Sequence, residues 1–85
     1  MKKSYTTIIN WNVVNMRKKD KNIPEGNSSI LYVSEVEGFK PTIRFATVHD
    51  TGEYTYIHNG ICKAPIDTGF KWIYASDIEV IEKEE

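Results

Sequence analysis

Eighty-five residues, 40% of them hydrophobic and 27% charged, have room for one small domain over residues 1–85, with a modest core that hides roughly 64% of the unfolded chain's surface. Eleven basic against twelve acidic side chains, a net charge of -1, exclude the uniformly cationic composition of a protein held on duplex DNA by phosphate contacts. The single cysteine, Cys62, excludes an internal disulfide and a thiolate metal cluster, so packing must hold the fold.

Apolar residues recur mostly with period two, many of them aromatic or β-branched, which is the pattern of half-buried strands. Ile9, Trp11 and Val13 alternate with Asn10 and Asn12, predicting a first strand from Thr6 to Asn15 with the tryptophan on its core face. Residues 17–27 carry Arg17, Lys18, Lys19 and Lys21 and end in Pro24-Glu25-Gly26-Asn27, the composition of a long, polar, basic loop. Ser28 to Val36 reads as a second strand, with Ile30, Tyr32, Ser34 and Val36 on one face and Leu31 and Val33 on the other. Gly38 and Lys40-Pro41 reverse the chain into a third strand through Ile43 and Phe45, which Asp50-Thr51-Gly52 ends.

Tyr54, Tyr56 and His58 then share a strand face, and Asn59-Gly60 predicts a tight type I′ hairpin turn because both residues tolerate positive φ. The chain returns through Ile61 to Ile66, where Pro65 lacks an amide donor and so marks an edge. Asp67-Thr68-Gly69 turns it into Phe70 to Tyr74, with Trp72 and Tyr74 on one face. Near the end Ser76 and Glu79 match a helix capping box, whereas Ile78 and Val80 fit a strand. The reading taken is one turn over Ala75 to Asp77, a short last strand from Ile78 to Ile81, and a solvated acidic tail over residues 82–85. The fold class that results is mainly β: a small curved antiparallel meander, or a small barrel, of five to six short strands with one 3₁₀ or short helical turn near the C-terminus. Its expected core is Ile9, Trp11, Val13, Ile30, Tyr32, Ile43, Phe45, Ile57, Trp72 and Val80.

Little in the chain points to chemistry. Catalysis needs a converging nucleophile, base and electrostatic stabiliser, and only Cys62, His49 and His58 offer reactive groups near neutrality. His49 and Asp50 are adjacent at a turn and point to opposite faces of an extended chain, so they do not form an orienting pair. His58 and Cys62 flank the Asn59-Gly60 turn, but the expected state of Cys62 is a small, buried or half-buried thiol. No phosphate-binding, nucleophile-elbow or zinc-protease motif occurs. Neither an enzyme, a cofactor nor a metal is therefore expected. No apolar run approaches the roughly 20 residues of a membrane helix, and Met1-Lys2-Lys3 leads into Ser4-Tyr5-Thr6-Thr7 rather than an apolar signal segment. A cytoplasmic protein with no membrane contact is expected.

The aromatic side chains exceed what one small core hides, so some stand at the surface. Tyr54, Tyr56, His58, Phe39 and Phe70 are the candidate contacts for a macromolecular protein partner, since Tyr and Phe in a polar setting are favoured anchors. The alternative is a platform for single-stranded nucleic acid that combines Tyr54 and Tyr56 with Arg17, Lys18, Lys19 and Lys21. A homodimer, formed through a free sheet edge or through Tyr54 and Tyr56, is a further expectation.

A first strand, a long polar loop, three hairpin-linked strands and then Trp72-Ile73-Tyr74-Ala75-Ser76-Asp77-Ile78-Glu79-Val80-Ile81 resemble the layout of SH3-like barrels. The resemblance implies a one-turn 3₁₀ segment at Ala75-Ser76-Asp77, with no motif for a proline-peptide groove. Trp11, Pro24-Glu25-Gly26, Ile30-Leu31-Tyr32-Val33 and Trp72 also resemble the small accessory domains carried by phages and prophages. That resemblance implies a small accessory protein acting by stoichiometric binding and names no substrate; on the protein-partner reading an example is a phage-type inhibitor of a host or defence enzyme.

Overall fold

The computed structural model describes residues 2–84. Eight strands and one 3₁₀ turn follow one another: β1 (Lys3–Ile8), β2 (Asn12–Val13), β3 (Ser29–Ser34), β4 (Thr42–Asp50), β5 (Thr55–His58), β6 (Lys63–Pro65), β7 (Lys71–Tyr74), the turn (Ala75–Asp77) and β8 (Glu79–Glu84). They make a six-stranded antiparallel sheet in the order β2-β7-β3-β4-β5-β6 and a separate two-stranded ribbon of β1 with β8. Strands β3 to β6 are a meander, after which the chain crosses back so that β7 lies along the free side of β3. Pro65 sits on the edge strand β6, and the 3₁₀ turn falls where the sequence places it. The sheets are not closed into a barrel, so of the two expected forms only the open one is found. The last strand, β8, pairs with β1 and not with the six-stranded sheet.

One face of the six-stranded sheet is the core. Ile30 opposes Ala46 and Tyr74, Tyr32 opposes Arg44 and Trp72, and Val48 opposes Ile57. Ile30, Tyr32, Ala46, Val48, Ile57 and Trp72 are buried there together with Val14 and Ile66. The segment read as a polar loop supplies the second layer. Pro24 is buried and Ile23 packs on the core, while the Trp72 Nε1–H donates to the Asn22 carbonyl at 2.9 Å and the Glu25 amide donates to the Tyr74 hydroxyl at 3.0 Å. Amides of Asn27 and Val48 donate to the carbonyls of Val48 and Ser28 at 2.7 and 2.9 Å, stitching the end of the strap to β4. In the first half of the strap every residue from Arg17 to Lys21 stands in solvent, whereas in the second half Pro24 is buried and Ile23 and Gly26 are half-buried between exposed Asn22, Glu25 and Asn27.

Four expectations are corrected. The single first strand is two: Ile9 to Trp11 leave the ladder, β1 pairs with β8 and β2 with β7. Across that break Val14 is buried and Val13 is 46% exposed, with Ile9 and Trp11 only half-buried. Ile43 and Phe45 occupy the uncovered face of β4 and Val80 stands on the ribbon, all three more than half exposed. Alternation says which residues share a face, not which face gains a second layer. The Asn59-Gly60 turn is a four-residue loop rather than a two-residue type I′ turn. Only Gly60 has positive φ, 92°, and the Asn59 side-chain oxygen accepts from the amides of Ile61 and Cys62, both at 3.0 Å. That cap stabilises a wider loop, so β6 starts at Lys63. Finally, Glu82 and Glu84 belong to β8 rather than to a solvated tail, and Glu85 lies outside the described residues.

The radius of gyration, 14.9 Å, and the extents of 52 × 30 × 24 Å exceed the roughly 12 Å radius of a compact chain of this length. The exposed surface of 6627 Å² likewise exceeds the roughly 5,200 Å² expected at this mass. The ribbon is one cause, since β1 and β8 pack chiefly on each other and five of the six residues of β1 and all six of β8 are exposed.

Candidate functional site

The second cause of the extended shape is the β3–β4 hairpin. β7 flanks β3 only over Ile30, Leu31 and Tyr32, and β5 flanks β4 only from Thr47 to Asp50, so residues 33–45 run on past the sheet with no neighbouring strand. The Phe39 amide donates to the Val36 carbonyl at 3.0 Å across the tip, and Gly38 at φ 85° supplies the positive φ of a type II turn. Beneath the tip is an open groove of about 470 Å³ lined by Ser34, Val36, Phe39, Lys40, Thr42 and Arg44. Through Ser34, Val36 and Arg44 it continues into a second depression of about 390 Å³, whose walls include Tyr32, Asn59, Cys62 and Phe70. Phe70 is stacked on Tyr32, ring centroids 5.5 Å apart. On the reverse side of the hairpin Phe45 opposes Leu31 and Ile43 opposes Val33, forming an apolar stripe.

Tyr54, Tyr56 and His58 lie together, as the alternation predicts, but on the sheet face opposite Ile57 and the core. The Tyr56 ring is engaged from both neighbouring strands. His49 of β4 stacks on it at 5.2 Å and 13°, and Lys63 of β6 places its Nζ 5.4 Å from the ring centroid. Tyr54 leans on Tyr56 at 5.7 Å and 40° and is itself 59% exposed. His58 Nδ1 accepts from the Gly60 amide at 3.1 Å, which leaves the proton of the neutral ring on Nε2. His49, read from the sequence as a turn residue, lies within β4, its Nε2 3.2 Å from Thr47 Oγ1. The Phe45, Thr47, His49 alternation is the signal that would have placed it beside Tyr56.

Cys62 is exposed, against the expected burial, because the wide loop lifts it off the sheet. Its Sγ is 3.7 Å from Asn59 Oδ1, and Lys63, not Cys62, is the cross-strand partner of His58. The basic residues divide as well. The Asn15 amide donates to the Lys21 carbonyl at 3.0 Å, closing residues 15–21 into a small loop on which Arg17, Lys18 and Lys19 are exposed. Lys21 alone shares a depression, of about 330 Å³, with Tyr54, Met16 and Glu53.

The predicted contacts thus form two surfaces rather than one: Phe39 and Phe70 along the groove, and Tyr54, Tyr56 and His58 on the opposite face. Among the described residues no three metal-ligating side chains come together, and no helix is long and apolar enough to cross a membrane. No protein-family model, curated protein or solved structure matches the chain.

Proposed function

We propose that this protein acts by stoichiometric binding to another protein, without turnover, and that the end of the β3–β4 hairpin with its groove makes the contact. One observation carries the reading: Val36, Phe39, Ile43 and Phe45, on ten consecutive residues, are 56%, 77%, 55% and 55% exposed. Val36 and Phe39 line the groove while Ile43 and Phe45 stand on the reverse side, outside this chain's core cluster, so a partner that grips the hairpin from both sides covers all four. Lys40 and Arg44 border the outer part of the groove, whose lining contains no acidic side chain. Nearby Glu35 is drawn off to Lys71, 3.4 Å away. The complementary surface is therefore apolar and flanked by carboxylates, and blocking an enzyme by such a contact is one form the activity takes.

The nucleic-acid reading has less behind it. A base stacks on an open aromatic face, and Tyr56 already holds His49 and Lys63, leaving Tyr54 with Lys21. A photoreactive phenylalanine analogue at Phe39 tests the choice. It is expected to form a discrete protein adduct in lysate of the native source, lost when Arg44→Glu is added and absent when the analogue replaces Lys19. Failure to crosslink any protein rejects the reading. So does tight binding of a labelled oligonucleotide that weakens steeply with salt and is lost in Tyr54→Ala.

A further inference from the structure

We infer that the chain forms a two-fold symmetric dimer by pairing β1 with β1 of a second copy, building a four-stranded sheet in the order β8-β1-β1-β8. The inference comes from comparing the outermost strands of the two sheets; the overhanging edge of β4 from Thr42 to Ala46 carries the charge of Arg44 and belongs to the partner surface proposed above. At the two ends of the six-stranded sheet stand β2, of two residues, and β6, of three residues that include Lys63 and Pro65. Short length, an edge lysine and a proline are the usual means of blocking strand addition. β8 has six residues, but Glu79, Glu82, Lys83 and Glu84 among them leave a net negative edge that opposes its own copy. β1 carries only one of these devices, Lys3 at its first position. Its sequence, Lys3-Ser4-Tyr5-Thr6-Thr7-Ile8, has no proline or glycine and a single charge, and that charge is held at the strand's end by Glu82, 3.1 Å away.

The ribbon also lacks a layer to cover it. Tyr5 and Val80 are 63% and 58% exposed on one face, Ile8 and Ile81 39% and 44% on the other. A two-stranded ribbon by itself is marginal in water, and three or more strands are needed for independent stability. An antiparallel two-fold pairing keeps opposed side chains on one side of the sheet only when the axis passes through a residue. Centred on Thr6 it opposes Thr6 to Thr6, Tyr5 to Thr7 and Ser4 to Ile8 of the second copy. The first is a hydroxyl–hydroxyl and the second an aromatic–β-branched pair of the favourable kind, the third is neutral, and no like charges are opposed. The two acidic β8 strands end on the outside, about 14 Å apart at the usual strand spacing and beyond the roughly 8 Å screening length of physiological salt. Because each copy offers the same edge, the contact closes after two chains. Five residue pairs bury less than a standard interface of about 1,200 Å², so dissociation in the micromolar range is expected.

Sedimentation equilibrium from low to high micromolar concentration reads the outcome. The wild-type chain is expected to pass from 9.8 kDa to twice that mass. Thr6→Lys and Thr6→Glu each set like charges against each other at the axis and are expected to stay monomeric, with an unchanged far-ultraviolet spectrum. Mixed in equal amounts they regain the dimer, because the opposed charges then attract. Phe39→Ser is expected to dimerise like the wild type, so this inference and the partner-binding reading fail separately. A wild-type monomer at high micromolar concentration overturns the inference, as do a dimer that Thr6→Lys leaves intact and an assembly that grows past two chains.

Discussion

The six-stranded sheet and the β1–β8 ribbon are built from the same material, short alternating strands rich in Thr, Ile, Val and Tyr, yet they end in opposite states. In the sheet one face is sealed: Ile30 and Val48 have no exposed surface, because Val14, Ile66 and the strap's Ile23 pack into the same cluster. In the ribbon, Tyr5 and Val80 on one face and Ile8 and Ile81 on the other remain in water. Strand pairing itself is complete in both. What separates them is the second layer, and the hydrophobic gain of folding comes from that layer and not from the ladder. The β3–β4 hairpin shows the same contrast within one pair of strands, buried where the strap passes and exposed beyond it.

The contrast breaks first at the core. Trp72→Ala removes the largest side chain beneath the strap along with the hydrogen bond to the Asn22 carbonyl. The expected loss is about 3–5 kcal/mol, comparable with the roughly 3–5 kcal/mol a core of this size supplies net. The variant should therefore be largely unfolded at 25 °C by circular dichroism, and a folded variant would show that the strap is not the seal. A smaller effect isolates the strap from the tryptophan. Tyr74→Phe keeps the ring against Trp72, centroids 4.7 Å apart, but removes the acceptor of the Glu25 amide, lowering stability by about 1 kcal/mol with an unchanged urea m-value. Smallest of all, removing residues 79–85 at low micromolar concentration should change the urea-derived unfolding free energy of the remaining sheet by less than about 0.5 kcal/mol. Ribbon amides in the full chain should exchange far faster than those of Ile30 and Val48. If the truncation unfolds the six-stranded sheet, ribbon and sheet are one cooperative unit.

Much of this was legible in the residues. The face shared by Tyr54, Tyr56 and His58, the edge position of Pro65 and the turn at Ala75–Asp77 all follow from local rules of period two, missing amide donors and turn composition. The site was legible only in pieces. Phe39 and Phe70 were singled out as surplus aromatics, but they meet along a groove only because the hairpin overruns its neighbours, and no local pattern records where a neighbouring strand stops. His49 was missed because Asp50-Thr51-Gly52 marks a turn without saying how far the preceding strand runs into it.

By itself, then, the amino-acid order determined the element types, most of their boundaries and which residues share a face, since these depend on sterics and hydrogen bonding within a few residues. Only the tertiary structure decided which face was buried, and the first strand shows why. From Ile9 to Val13 the alternation is regular, but the apolar pairs Ile8-Ile9 and Val13-Val14 at its two ends leave either face open to burial. Two distant partners compete for the predicted strand, β8 for its first part and β7 for its last, and the chain leaves the ladder between them. That break exchanges Val13 for Val14 in the core and leaves β1 on a ribbon with no layer above or below it. Burial is a property of pairs of surfaces, and a chain read one residue at a time contains only one member of each pair.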